Sequence, residues 1–192
     1  MPSTPDQDFW KALGAVEDRL ERRLRFAAWL TAALAPYGVR PVVVGGHALE
    51  FYTLGDYATG DIDMVCTDLT AVKRVLERAG FRREGRHWYR EDLDIAVEFP
   101  GSTLLGSLDR VEAVTIDDGV VYIIGKEDLL IDRLNACVHR RSQEDCRWAR
   151  RLLLLYGPEL DWPYLRTRAR EEGTLKELEA LWNEVQADND AV

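Results

Sequence analysis

The sequence predicts an α/β core over about residues 36–125, flanked by helices on both sides. Three observations predict it. Short β-branched runs such as Val42-Val43-Val44 are bounded by glycine and proline, as buried strands are. Apolar residues recur at three/four spacing before residue 36 and after residue 125, as helices require. The chain of 192 residues is 46% hydrophobic, enough to bury one sizeable core.

Taken in order, residues 1–7 are polar and proline-containing and are expected to form a loose tail. Phe9, Leu13, Val16, Leu20, Leu24, Ala27 and Leu34 predict one long helix from about Asp8 to Ala35, ended by Pro36, Gly38 and Pro41. A strand over 42–44, a helix over 46–54 and a strand over 61–66 follow. A helix over 69–79 is expected to turn Leu69, Val72, Val75, Leu76 and Ala79 inward, with Gly80 at its end. Phe81–Arg90 and Leu93–Phe99 read as a hairpin turning at Glu91-Asp92. Val111–Ile116 and Val120–Ile124 read as another, turning at Asp117-Asp118-Gly119. Helices near 126–139, 142–155, 161–171 and 173–186 complete the chain. The stripe Leu175, Leu178, Leu181, Trp182 and Val185 is expected to be packing. The segments are therefore an N-terminal helix (1–35), an α/β core (36–125) and a C-terminal helical region (126–192).

Composition narrows the function classes. The net charge of -9 argues against indiscriminate nucleic-acid binding by the whole surface. The arginines are nevertheless bunched, at Arg82, Arg83, Arg86 and Arg90 and again at Arg140, Arg141, Arg147, Arg150 and Arg151. No apolar run is long enough for a membrane span, and the N-terminus has neither the basic nor the apolar part of a secretory signal. Cys66, Cys137 and Cys146 are isolated, which predicts small buried thiols in a reducing cytoplasm. Three histidines far apart in sequence predict no zinc site.

The chemistry concentrates in residues 41–65. Gly45-Gly46 follows a strand and opens a helix, where free backbone N–H groups suit a phosphate. Asp61 and Asp63 begin the next strand and share a face, since alternate strand residues do. Two carboxylates on one face repel unless a cation lies between them, and Mg²⁺ is commonly held by carboxylates plus substrate phosphates. His47, at the helix N-terminus, is expected as a neutral hydrogen-bonding group facing a phosphate or base.

This strand, Gly-Gly, helix, Asp-x-Asp order resembles the nucleotidyltransferase superfamily signature of the polymerase-β-like fold. Thr59-Gly60-Asp61-Ile62-Asp63 is similar to the Thr-x-Asp-Ile-Asp of small bacterial nucleotidyltransferase-like proteins, including the AbiEii-type toxin relatives. Where those relatives often carry arginine two residues before the threonine, this chain has Tyr57. The resemblance implies a minimal nucleotidyltransferase core with a mixed sheet and a C-terminal helical extension. It implies transfer of NMP from an NTP, with Mg²⁺ (or Mn²⁺) on Asp61 and Asp63 and a third carboxylate on a neighbouring strand. Glu98, in Val97-Glu98-Phe99-Pro100, and Asp94 are the candidates, roughly 13 Å apart at about 3.3 Å per residue. Glu98 is favoured because it lies at a strand end. Gly45, Gly46, His47 and Thr59 are the implied nucleotide contacts. The segment Lys126–His139 is similar to a family helix that places Arg133 near the triphosphate. The acceptor stays open among RNA 3′ ends, a protein hydroxyl and a small antibiotic-like alcohol. A non-catalytic nucleotide- or RNA-binding module, as one half of a toxin–antitoxin pair, is the alternative.

Overall fold

The structure is a computed structural model that describes residues 5–190. The expected tail over residues 1–4 lies outside the described residues, while Pro5 already begins a helix. The chain forms two compact units. One runs to Leu104 and adds Leu108–Ile124, and the other comprises Leu105–Ser107 and everything from Gly125.

The first unit opens with two helices where one was expected, α1 (Pro5–Gly14) and α2 (Arg19–Leu34). Gly14 is a poor helix former, and Asp18 serves better as a cap than as an interior residue: its carboxylate accepts the Glu21 N–H at 2.7 Å. The break lets α1 fold back, so that Trp10 and Phe9 pack on Trp29 of α2. Next come β1 (Val42–Val43), α3 (Gly45–Tyr52), β2 (Ile62–Val65) and α4 (Leu69–Arg78). Asp68 caps α4 by accepting the N–H groups of Thr70 and Ala71. Leu69 faces outward, contrary to expectation, because it sits in the first turn beside that cap.

The segment expected as one strand, 81–90, is itself a hairpin: β3 (Arg82–Glu84) and β4 (His87–Arg90). Gly85 takes φ +62°, which supplies the tight turn. Glu91–Leu93 forms a 3-10 turn, and Asp94, at φ +51°, swings the chain into β5 (Ile95–Gly101). The hairpin β6 (Glu112–Ile116) and β7 (Gly119–Ile123) ends the unit. All seven strands join one sheet in the order β3-β4-β5-β2-β1-β7-β6. β2 runs parallel to β5 and β1 parallel to β7, with every other pair antiparallel. Phe26, Leu30, Leu49, Met64 and Val97 are fully enclosed in its core. Cys66 is buried too, and burial pushes its thiol up to about 11.

The second unit is helical: α5 (Lys126–His139), α6 (Gln143–Tyr156), α7 (Trp162–Glu171) and α8 (Leu175–Asp190). Leu178, Leu181 and Val185 are buried, and Trp182 packs on Trp162. Cys137 and Cys146 form a disulfide between α5 and α6, which overturns the expectation of three free thiols. Their nine-residue spacing hides the pairing in sequence, and the α5–α6 turn brings the two sulfurs together. Buried Asp128 accepts the Ser107 N–H and the Tyr164 hydroxyl, which ties residues 105–107 to the helices.

Candidate active site

The site grows from the end of β1. Val44 donates its N–H to the Asp63 carbonyl at 2.9 Å, which brings the β1–α3 turn against β2. Gly45 then takes φ +57° and starts α3. The Gly46 N–H donates to Asp63 Oδ2 at 3.1 Å, so a helix N-terminus faces a carboxylate, the favourable sense of the helix dipole. A Cβ on Gly45 would lie 2.6 Å from that oxygen, and one on Gly46 would lie 3.1 Å from Thr59 Oγ1. Gly45 is therefore required by what approaches it, and Gly46 is closely approached. Thr59 in turn donates its hydroxyl to Asp61 Oδ1 at 3.3 Å.

A buried ionic network holds this loop from behind. Arg23 of α2 is 1% exposed. Its guanidinium donates to the carbonyls of Thr59 (2.8 Å) and Gly60 (3.0 Å) and to Glu50 Oε2 (3.1 Å). His47 Nδ1 meets the same Glu50 oxygen at 3.2 Å. Burial pushes the His47 imidazole below its usual pKa against the pull of Glu50, so the ring is neutral and Nδ1–H donates. Burial pushes the Glu50 carboxyl up, but the His47 hydrogen bond and the Arg23 charge outweigh it and hold it below its ordinary value.

The third carboxylate arrives by sheet register. In the parallel β2–β5 pair, Glu98 lies directly opposite Asp63. In the antiparallel β4–β5 pair, His87 lies opposite Glu98. Glu98 is only 5% exposed. Its Oε2 lies 2.8 Å from His87 Nε2, its Oε1 lies 2.9 Å from Arg86 Nε, and the same His87 nitrogen lies 3.4 Å from Asp61 Oδ2. One ligand atom from each of Asp61, His87 and Glu98 fits within a 4.8 Å span. Hard carboxylate oxygens with an adjoining imidazole suit a divalent cation, and the paired acids otherwise repel, so the donor set fits a metal.

Asp61, Asp63, Glu98, Gly45, Gly46 and Thr59 thus meet where the β1–α3 turn and the start of β2 lie against the middle of β5, so Glu98 is a mid-strand residue and not the strand-end residue expected. One further expectation, for His47, needs correction. His47, expected to face a nucleotide, is fully enclosed with its ring bonded to Glu50, so it supports the turn instead. Asp94, the second candidate for the third carboxylate, is exposed just before β5 and pairs with Arg19, because its left-handed turn takes it out of the strand. Arg133 belongs to the second unit, where its guanidinium engages Asp145 at 2.8 Å and also Asp132. Sequence reasoning left His87, Arg86 and Arg23 out of the site. Placing Gly85 at a turn would have set His87 against Glu98. Nothing local marks Arg23, whose partners lie 27 to 37 residues away.

No family model matches the chain, and no curated protein sequence matches it. Among solved structures it is similar to an antigenic nucleotidyltransferase-like protein from Paracoccidioides brasiliensis, with a TM-score of 0.58 and 16% identity over 87% of this chain and 93% of that one. It is also similar to the antibiotic-resistance factor ANT(2'')-Ia in solution (TM-score 0.45, 14% identity, 88% of this chain and 92% of that). A further match is ANT(2'')-Ia in complex with adenylyl-2''-tobramycin (TM-score 0.46, 15% identity, 87% and 98%). The first of these shows that this chain has the fold of a nucleotidyltransferase-like protein.

Proposed function

We propose that this chain is a metal-dependent nucleotidyltransferase that moves an NMP from an NTP to a hydroxyl acceptor. The acceptor hydroxyl attacks the α-phosphorus, the bond to the bridging oxygen breaks, and pyrophosphate leaves. One observation carries the proposal: strand register sets Glu98 opposite Asp63, beside Asp61, on a nucleotidyltransferase-like fold. Asp61, Asp63 and Glu98 would hold the cation, Mg²⁺ or Mn²⁺, which would supply positive charge against the triphosphate and the leaving group. Glu98 also stands where it can take the proton of the incoming hydroxyl. The Gly45-Gly46 turn lets the triphosphate approach the backbone, and Thr59 orients Asp61. Arg23, Glu50 and His47 keep that turn in place.

The test has two readouts. Mg²⁺ with an NTP at a hundredfold excess over Kd stabilises the native state by about 2.7 kcal/mol, and Asp63→Asn is expected to remove most of that gain. Label from an α-³²P NTP is expected on an acceptor drawn from total RNA, protein extract or small alcohols, and Asp61→Asn is expected to slow transfer about a hundred- to a thousandfold. Equal labelling by Asp61→Asn and wild type would move the site elsewhere. A second reading has its own observation: Glu98 is already engaged by Arg86 and His87, as in a non-catalytic nucleotide- or RNA-binding module of a toxin–antitoxin pair. Nucleotide binding without transfer to any acceptor would select it.

A further inference from the structure

An all-carboxylate centre would suit Mg²⁺, yet this one has an imidazole built into it. His87 is the residue across the β4–β5 ladder from Glu98, so its backbone position is set by sheet register. Its ring is half-buried, tilts against Tyr89 at a centroid distance of 5.8 Å, and directs Nε2 at both carboxylates. Two ligands at about 2.1 Å from one ion lie about 3 Å apart when adjacent and about 4.2 Å apart when opposite. The observed separations, 2.8 Å to Glu98 and 3.4 Å to Asp61, fall at and just above the adjacent value. The other two histidines are committed elsewhere, His47 to Glu50 and His139 to the Glu172 carbonyl.

We propose that His87 is a metal ligand, and that Asp61, His87 and Glu98 form a mixed imidazole–carboxylate site selecting a first-row transition dication, such as Mn²⁺, over Mg²⁺. The proposal rests on the reading of the acidic centre as a divalent-cation site. Mg²⁺ takes oxygen ligands and strips its waters reluctantly, whereas imidazole favours transition metals. Arg86 does not prevent occupancy. Its side chain is 72% exposed on the hairpin turn, so its pairing with Glu98 is a partly solvated one that a dication displaces. An alternative role for His87 has the opposite consequence: as an imidazolium plug between two acids, it would compete with the metal.

The experiment measures Mn²⁺ and Mg²⁺ affinity of the full chain by calorimetry, in wild type, His87→Ala and His87→Gln. A ligand role predicts that both variants lose Mn²⁺ affinity about tenfold or more while Mg²⁺ affinity changes little, so the preference narrows. An unchanged preference, or a rise in affinity for both ions, overturns the proposal. Electron spin-echo spectroscopy of Mn²⁺-loaded wild type needs no variant. Nitrogen modulation from a coordinated imidazole is expected, and its absence overturns the proposal. Failure here is separable from failure of the transferase reading. An Mg²⁺-NTP shift abolished by Asp63→Asn, with no preference for Mn²⁺, overturns the His87 assignment alone. Imidazole-ligated Mn²⁺ without NTP binding supports His87 and removes the transferase.

Discussion

Replacing Arg23 with methionine tests whether the site is held from behind by a buried charge. The substitution keeps most of the volume but leaves Glu50, whose side chain is 8% exposed, without its guanidinium 3.1 Å away. At that distance, and at an effective permittivity of about 20, the attraction is roughly 5 kcal/mol before desolvation is counted. Breaking a buried pair by removing one partner typically costs about 3–5 kcal/mol, because an uncompensated charge stays behind. The Thr59 and Gly60 carbonyls add less, since both residues have access to water. Arg23→Met is therefore expected to cost about 3–5 kcal/mol in urea unfolding, a large share of the roughly 5–15 kcal/mol a domain usually has. The double variant Arg23→Met/Glu50→Gln removes the stranded charge and is expected to recover at least about 2 kcal/mol of that loss. Divalent-cation affinity should fall in both, because Thr59 and Gly60 lead into Asp61 and lose their anchor. A single-variant cost under about 1 kcal/mol, or strictly additive effects, would refute the argument, since a buried ion pair cannot be silent and uncoupled.

Two further outcomes follow from particular atoms. Gly45→Ala places a Cβ 2.6 Å from Asp63 Oδ2 at a residue with φ +57°. It is expected to cost about 1–2 kcal/mol from the left-handed backbone alone and to abolish the metal–nucleotide thermal shift. Gly60→Ala meets nothing within 4 Å and should leave stability unchanged, and calorimetry of the pair checks both. His47 supplies a pH dependence: its folded-state pKa lies below the ordinary 6.5. The stability it contributes is full above about 6.5 and is lost as pH falls towards the folded value, with a slope of at most about 1.4 kcal/mol per pH unit. Urea midpoints between pH 7.5 and 5.5 should show this loss, and His47→Asn should flatten it. A slope unchanged in the variant would assign the loss to another group.

Residues 42–65 were legible because their information is local. Gly-Gly after a strand, and acids two apart on the next one, follow from backbone geometry within a few residues. The C-terminal helices were legible for the same reason, since three/four spacing is a property of one helix. The sequence framed a choice between Glu98 and Asp94, and only the β2–β5 register shows that Glu98 lies level with Asp63. His87 entered through the β4–β5 register, once Gly85 had turned the chain into the extra hairpin. Arg23 came from α2, and the Cys137–Cys146 bond came from the packing of α5 against α6. These were matters of tertiary structure because a strand pairs, and a buried charge finds its partner, through contacts between distant segments. Periodicity tells which face of an element is buried. It carries no record of which residue of another element lies opposite, and in this protein that opposition brings Asp61, His87 and Glu98 together.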